Sequence, residues 1–310
     1  MAHITFATGA ASVSDLEAIY MLGRSIRDFG GGLSRAGLHV YIPEAEFEGW
    51  KAVETQLLTA GILLHMIKAT KEELAFLYAF KSLTANAAEQ DIGDGTVVWM
   101  DRHSLVVGDC ADFVLNPWEH FAYRPVNIRN IASLYGGPIN GFWKDAFDIA
   151  GIAEGSLFPV FSSVDRQKIT PYFFACLFVF RPADGLMASW KELFETLQCH
   201  PQMKKHLQAE KHRIYLHQAA LCLAALKNIP REAMRELPFY YGYPLHLHGQ
   251  IPELYRVSSM DRLNTAYFSR EQHDWQKAAE GIAVSQGLGD WLTERIREAK
   301  SLCSLVADLL

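Results

Sequence analysis

Thr96-Val97-Val98-Trp99-Met100-Asp101-Arg102-His103 is the stretch on which the fold turns. Its first five residues are β-branched or large and apolar, the composition of a buried strand. That strand delivers a carboxylate, a guanidinium and an imidazole to its end. The chain before it repeats the pattern. Lys71 to Ala88 reads as a helix, Ile62 to Ile67 as a strand and residues 44 to 60 as a helix. Leu38-His39-Val40-Tyr41-Ile42 is a strand ended by Pro43. Val13, Leu16, Ile19, Tyr20 and Ile26 keep helical spacing and stop at Gly30-Gly31-Gly32. Ser14, with Glu17 three residues on, has the capping-box pattern. Ile4-Thr5-Phe6-Ala7 is the first strand and ends at Thr8-Gly9. Alternating strands and helices predict an α/β chain with a parallel sheet. Ligands of such sheets sit beyond the carboxyl ends of the strands, where Thr8-Gly9 and Asp101 lie.

Downstream the pattern loosens. Residues 116 to 143, rich in Asn, Pro, Gly, Trp and Tyr, read as a long ordered loop. Phe173 to Phe180 is a buried strand, and Gly185 to Gln198 and Lys211 to Lys227 are helices. Phe239 to His248 is strand or turn. Leu288, Trp291, Leu292, Ile296, Ala299, Leu302, Cys303, Val306 and Leu310 make one apolar helical stripe. It is read as packing on the main body, with a homo-oligomer contact as the alternative. The expected division is a domain over 1–260 and a helical extension over 261–310.

Composition sets the outer bounds. The 310 residues are 50% hydrophobic and 21% charged, enough for a sizeable core. A net charge of −6 argues against a nucleic-acid partner. Five scattered cysteines without a Cys-x-x-Cys read as reduced thiols of a cytoplasmic protein. The acidic Asp15 and Glu17 soon after the start argue against a signal peptide. The run Ile169 to Phe180 is too short to span a bilayer and contains Pro171.

Twelve histidines stand out. In an extended segment Asp101 and His103 point the same way, and both are first-row metal ligands; the plainer reading is a turn after a strand. His246-Leu247-His248-Gly249 puts two imidazoles on one face if extended, followed by a glycine whose amide can approach a phosphate; the plainer reading is a solvated loop. His217 lies in a helix. His65 reads as a core residue, and His200, His206, His212 and His273 as solvated.

In order along the chain, these segments resemble the nucleotide-sugar glycosyltransferases of GT-A fold, especially the glycogenin and galactinol-synthase group. The resemblance runs through most of residues 4 to 256. Met21-Leu22-Gly23-Arg24-Ser25-Ile26-Arg27 is similar to that group's first helix. Val98 to Val106 resembles its Asp-x-Asp segment, and Pro171 to Val179 its Tyr-Phe-Asn-Ala-Gly strand. His217-Gln218-Ala219-Ala220-Leu221 resembles Asp-Gln-x-x-Leu, and His246 to Gly249 resembles His-x-x-Gly. The chain departs from the pattern in several places: His103 and His217 replace Asp, Phe174 and Cys176 replace Asn and Gly, and of the Lys-Pro-Trp after the final Gly only Pro252 is present.

The resemblance implies a mainly parallel mixed sheet flanked by helices, and sugar transfer from a nucleotide sugar to a polar acceptor. It implies a divalent metal at Asp101, His103 and His246. Two imidazoles and one carboxylate favour Mn²⁺, Fe²⁺, Co²⁺ or Zn²⁺ over Mg²⁺, with Mn²⁺ the first expectation. Thr8, Gly9, Ala10, Lys81 and Gly249 are expected near the donor. Arg124, Asn127, Arg129 and His248 are expected at the substrate, with Trp118 and Trp143 as stacking surfaces. Asp165, Glu253 and His217 are candidate catalytic groups, and Asp112 and Glu119 further candidate bases. A GT-A-like binder without turnover, or a metalloenzyme with a two-His-one-carboxylate site, are the alternatives.

Overall fold

A computed structural model describes residues 3–268 and 281–307. His273 and Leu310 lie outside the described residues. Seven strands form the central sheet: β1 (Ile4–Gly9), β2 (Leu38–Pro43), β3 (Ile62–Ile67), β4 (Thr96–Met100), β6 (Phe121–Pro125), β9 (Phe173–Phe180) and β10 (Met234–Glu236). Their order is β10-β6-β9-β4-β1-β2-β3. Strands β3, β2, β1 and β4 are mutually parallel. β9 runs antiparallel to both β4 and β6, and β10 is parallel to β6. The sheet is therefore mixed, and mainly parallel.

Both faces are buried. Phe6, Val98 and Met100 pack on one side with α1 (Leu16–Phe29) and the last described helix, α10 (Gln286–Ala307). Ala7, Val97 and Trp99 pack on the other with α5 (Leu77–Ile92), α6 (Gly141–Ala150), α7 (Leu186–Cys199) and α9 (Glu210–Asn228). This alternation explains the continuous apolar runs, since both strand faces need apolar side chains. On α10, Leu288, Leu292, Ile296, Ala299, Leu302 and Val306 are buried. Its Trp291 ring lies 4.9 Å from Phe29, and the indole N–H donates to Asp28 Oδ2 at 2.8 Å. The stripe thus packs on the body of this chain.

Several expectations are corrected. The span 44–60 is not one helix but a 3-10 turn, α2 (Phe47–Lys51) and α3 (Glu54–Thr59). The span 71–88 breaks at Phe76, between α4 (Lys71–Ala75) and α5. No capping box forms at Ser14: the residue before α1 is Asp15, whose Oδ2 accepts the Ala11 amide at 2.9 Å. The span 116–143 is not all loop, because β6 is a fully buried strand inside it. A small sheet of β5 (Ser104–Val106), β11 (Tyr243–Pro244) and β12 (Thr265–Tyr267) lies near the carboxyl edge. Among the described residues no helix is long and apolar enough to cross a membrane.

Candidate functional site

The carboxyl edge of the sheet carries a cavity of about 390 Å³. Several elements line it, and their geometry follows from the sequence. Tyr78 and Lys81 stand three apart on α5, and Ile214, His217 and Gln218 keep helical spacing on one face of α9. Phe174 and Cys176 alternate on β9, whose antiparallel course puts its amino end at this edge. Asn127, Ile128 and Asn130 follow β6, and His246, Leu247 and Tyr267 close the side near the small sheet.

Asp101 lies just behind the lining. Its Oδ2 is 2.5 Å from Lys81 Nζ, and its Oδ1 accepts the His103 amide at 3.0 Å. Burial alone would raise the Asp101 pKa, but Lys81, Arg102 and His103 hold it well below the usual carboxylate range. Burial would lower that of Lys81, yet Asp101 and Cys176 raise it, so the ammonium stays charged. Lys81 Nζ also donates to Cys176 Sγ at 3.1 Å. The neighbouring Arg102 pairs with Asp15 at 2.7 Å, and both are buried.

The Asp101 segment is a turn, not an extension: the Ser104 amide donates to the Asp101 carbonyl at 3.0 Å. Asp101 and His103 therefore lose the shared face that an extended pair would have. His103 instead packs edge-on against Phe268 at 5.1 Å, and burial pushes its pKa down to about 4. The His246 segment is likewise a 3-10 turn, so its two imidazoles separate. His246 lines the cavity, while His248 Nδ1 is 2.8 Å from the Tyr243 hydroxyl. Burial pushes His246 down to about 4, and its Nδ1 is buried without a hydrogen-bond partner among the described residues. Among the described residues no group of three His, Cys, Asp or Glu side chains is placed to hold a metal. The expected set Asp101, His103 and His246 is not gathered into one, nor is a two-His-one-carboxylate site.

His217 is the best-defined polar group of the lining. Its Nδ1 donates to the Ile214 carbonyl at 2.8 Å, which fixes the tautomer with a lone pair on Nε2. Burial pushes its pKa down to about 3, so the ring is neutral. Tyr78 stacks on it at 4.7 Å.

The other expected residues lie elsewhere. Thr8, Gly9 and Ala10 are packed at the end of β1 and do not line the cavity. A Cβ on Gly9 would sit 2.6 Å from Thr84 Oγ1, so this glycine serves close packing of β1 against α5. Arg124 is buried and bonds the Leu237 carbonyl at 3.1 Å and Ser163 Oγ at 2.5 Å. The Arg129 amide donates to Asp165 Oδ2 at 3.1 Å, and neither residue lines the cavity. Glu253 and Gly249 are exposed outside it. Glu119 is paired with Arg235 at 2.9 Å, and Asp112 lies 3.8 Å from the same guanidinium. Trp143 is core, and Trp118 is exposed away from the cavity. The sequence reading missed Tyr78, Tyr215 and Tyr267 as lining residues, although Tyr78 stands one helical turn before Lys81, which was a usable signal. A second cleft of about 640 Å³ opens at the amino edge near His3, Leu33 and Ala36, and is mostly apolar.

Three solved structures share the fold at low identity. The galactosyltransferase LgtC, solved with donor and acceptor sugar analogues, is 11% identical, with a TM-score of 0.52 over 95% of each chain. The bifunctional glycosyltransferase WbbM is 9% identical, with a TM-score of 0.51 over 86% of this chain and 45% of its own. The glycosyltransferase GlyE of Streptococcus pneumoniae TIGR4 is 12% identical, with a TM-score of 0.50 over 98% of this chain and 63% of its own. The chain thus spans less than two thirds of GlyE and of WbbM. A comparison with curated proteins finds no match. The mixed sheet is that of GT-A glycosyltransferases. Residues 11–228, more than half of the chain, match the Rhodobacterales glycosyltransferase domain, and the chain belongs to that family.

Proposed function

We propose that this chain transfers a sugar from a nucleotide-diphosphate sugar to a polar acceptor, within the cavity at the carboxyl edge. The observation that carries the reading is the grouping of Lys81, Asn127, His217 and His246 around one cavity at the edge where α/β sheets bind ligands. Its volume of about 390 Å³ falls in the range of small-molecule sites.

The roles follow from charge and lone pairs. Lys81 faces the diphosphate. As the bond from sugar C1 to the phosphate oxygen breaks, its electron pair stays on the diphosphate, and a fixed ammonium stabilises that charge. The acceptor hydroxyl oxygen bonds to C1 and releases its proton. His217 is too weakly basic in the free protein to take that proton efficiently, since a base works best with a pKa near the working pH. Its Nε2 lone pair instead accepts a hydrogen bond from a sugar hydroxyl. Asn127 and Asn130, after β6, contribute amides on the acceptor side. The Asp-to-His exchange at 217 replaces a charged acceptor with a neutral one, which suits a site whose net charge must still admit a diphosphate.

Calorimetry with UDP-, GDP- and CDP-sugars tests the reading. Saturable binding of one nucleotide class, with release of free nucleoside diphosphate when an acceptor is supplied, is expected. No binding to any of the three overturns it. Binding without turnover across an acceptor panel favours a GT-A-like binder.

A further inference from the structure

The charges around Asp101 do not fit the divalent ion that the resemblance implies. An ion held by a carboxylate needs its oxygen lone pairs facing the ligand space. Here the Lys81 ammonium sits 2.5 Å from one Asp101 oxygen, and the other accepts the His103 amide at 3.0 Å. Asp101 itself is absent from the cavity lining, whereas Lys81 is part of it. A divalent ion on Asp101 would have to displace an ammonium buried beside it. Cys176 stands next to this pair, and its sulfur accepts a second Lys81 N–H hydrogen bond at 3.1 Å. An ammonium has three N–H donors. Asp101 and Cys176 account for two, and Lys81 itself lines the cavity.

We infer that Lys81, held by Asp101 and Cys176, supplies the positive charge that binds the donor diphosphate, so that this chain binds its nucleotide sugar without a divalent metal. The inference rests on the proposed transferase reading and deepens it. Asp101 then acts as a positioning residue: it fixes the ammonium and keeps it charged instead of ligating an ion. Asp15 already neutralises Arg102. Among the charged side chains at this edge, Lys81 is the one that lines the cavity.

The test is calorimetry of the full chain with UDP, GDP and CDP, in EDTA and then in Mn²⁺ or Mg²⁺. The expected result is binding of one nucleotide whose Kd in EDTA lies within about twofold of that with metal. Removing Lys81 alone leaves Asp101 charged and buried, so the informative variant is Lys81→Met with Asp101→Asn, which removes both charges together. It should keep the thermal transition of a folded protein and bind the nucleoside diphosphate at least about tenfold more weakly, the loss of one charge-assisted contact. Its affinity for the corresponding nucleoside, which lacks phosphate, should be unchanged. Binding that disappears in EDTA and returns with Mn²⁺ overturns the inference and leaves the transferase reading standing. Unchanged diphosphate binding in the double variant also overturns it. If no nucleotide binds under any condition, the transferase reading falls, and this inference with it.

Discussion

The carboxyl edge of the sheet has a closed side and an open side. The closed side lies at the end of β1. There Gly9 presses on Thr84, the Ala10 amide donates to the Tyr41 carbonyl at 3.0 Å, and Asp15 pairs with Arg102. The open side lies three residues back along the same helix, where Lys81 and Asp101 form a second buried pair beside the cavity. The two pairs use the same chemistry one residue apart in sequence. One cation is enclosed by packing, and the other reaches the lining. The difference teaches that the neighbours of a pair, not its residue types, decide whether it serves the fold or a ligand.

Breaking each pair gives the largest effects. Asp15→Asn removes the carboxylate that pairs directly with the buried Arg102 guanidinium and should cost about 3 kcal/mol in urea denaturation. Its nucleotide affinity, measured on folded protein, should change less than about twofold. Lys81→Met should cost a similar amount and weaken diphosphate binding as well. If Asp15→Asn weakens nucleotide binding as much as Lys81→Met does, the distinction between the two sides fails.

Packing on the closed side is tested by Gly9→Ala. Its Cβ would lie 2.6 Å from Thr84 Oγ1, an overpacking expected to cost about 2 kcal/mol. Adding Thr84→Ala should recover a good part of that loss, and a strictly additive pair would show that the two residues do not meet.

The open side is tested by pH. His217 has a pKa near 3 in the folded chain and an ordinary value of 6.5. The unfolded chain therefore binds the proton first, and stability is lost as pH falls below about 6.5, down to about 3. At pH 5 this one residue should account for about 2 kcal/mol. His103 and His246 act with the same sign. Urea midpoints at pH 7 and pH 5 should differ clearly less in His217→Gln than in the parent chain; an equal difference would remove His217 as a buried neutral group.

The smallest effect is expected at Gly249, where an added Cβ meets nothing within 4 Å. Gly249→Ala should shift stability by less than about 0.5 kcal/mol, read from the melting temperature. If it also leaves nucleotide binding intact, a close approach of the donor that only a glycine at 249 would allow is removed from the reading.

The residues alone specified the strands β1 to β4 and β9: β1, β2, β4 and β9 are buried and so apolar on both faces, and such runs stand out against polar turns, whereas the edge strand β3, with Leu63 and Met66 exposed, was legible from its apolar run alone. They also specified which motifs sit at strand ends, and through those the glycosyltransferase resemblance. The strand β6 was hidden because Tyr123, Arg124 and Pro125 do not read as a buried run, and only its neighbours β9 and β10 make it one. The site was half legible. Lys81, His217 and His246 were named from the chain and meet at the cavity. The face each side chain presents was not legible, because a local turn sets it. Tight turns at 101–104 and 245–250 rotate His103 and His248 out of the expected alignment. That Asp101 meets an ammonium instead of open ligand space depends on α5 lying beside β4, a long-range packing event that no spacing within either segment records.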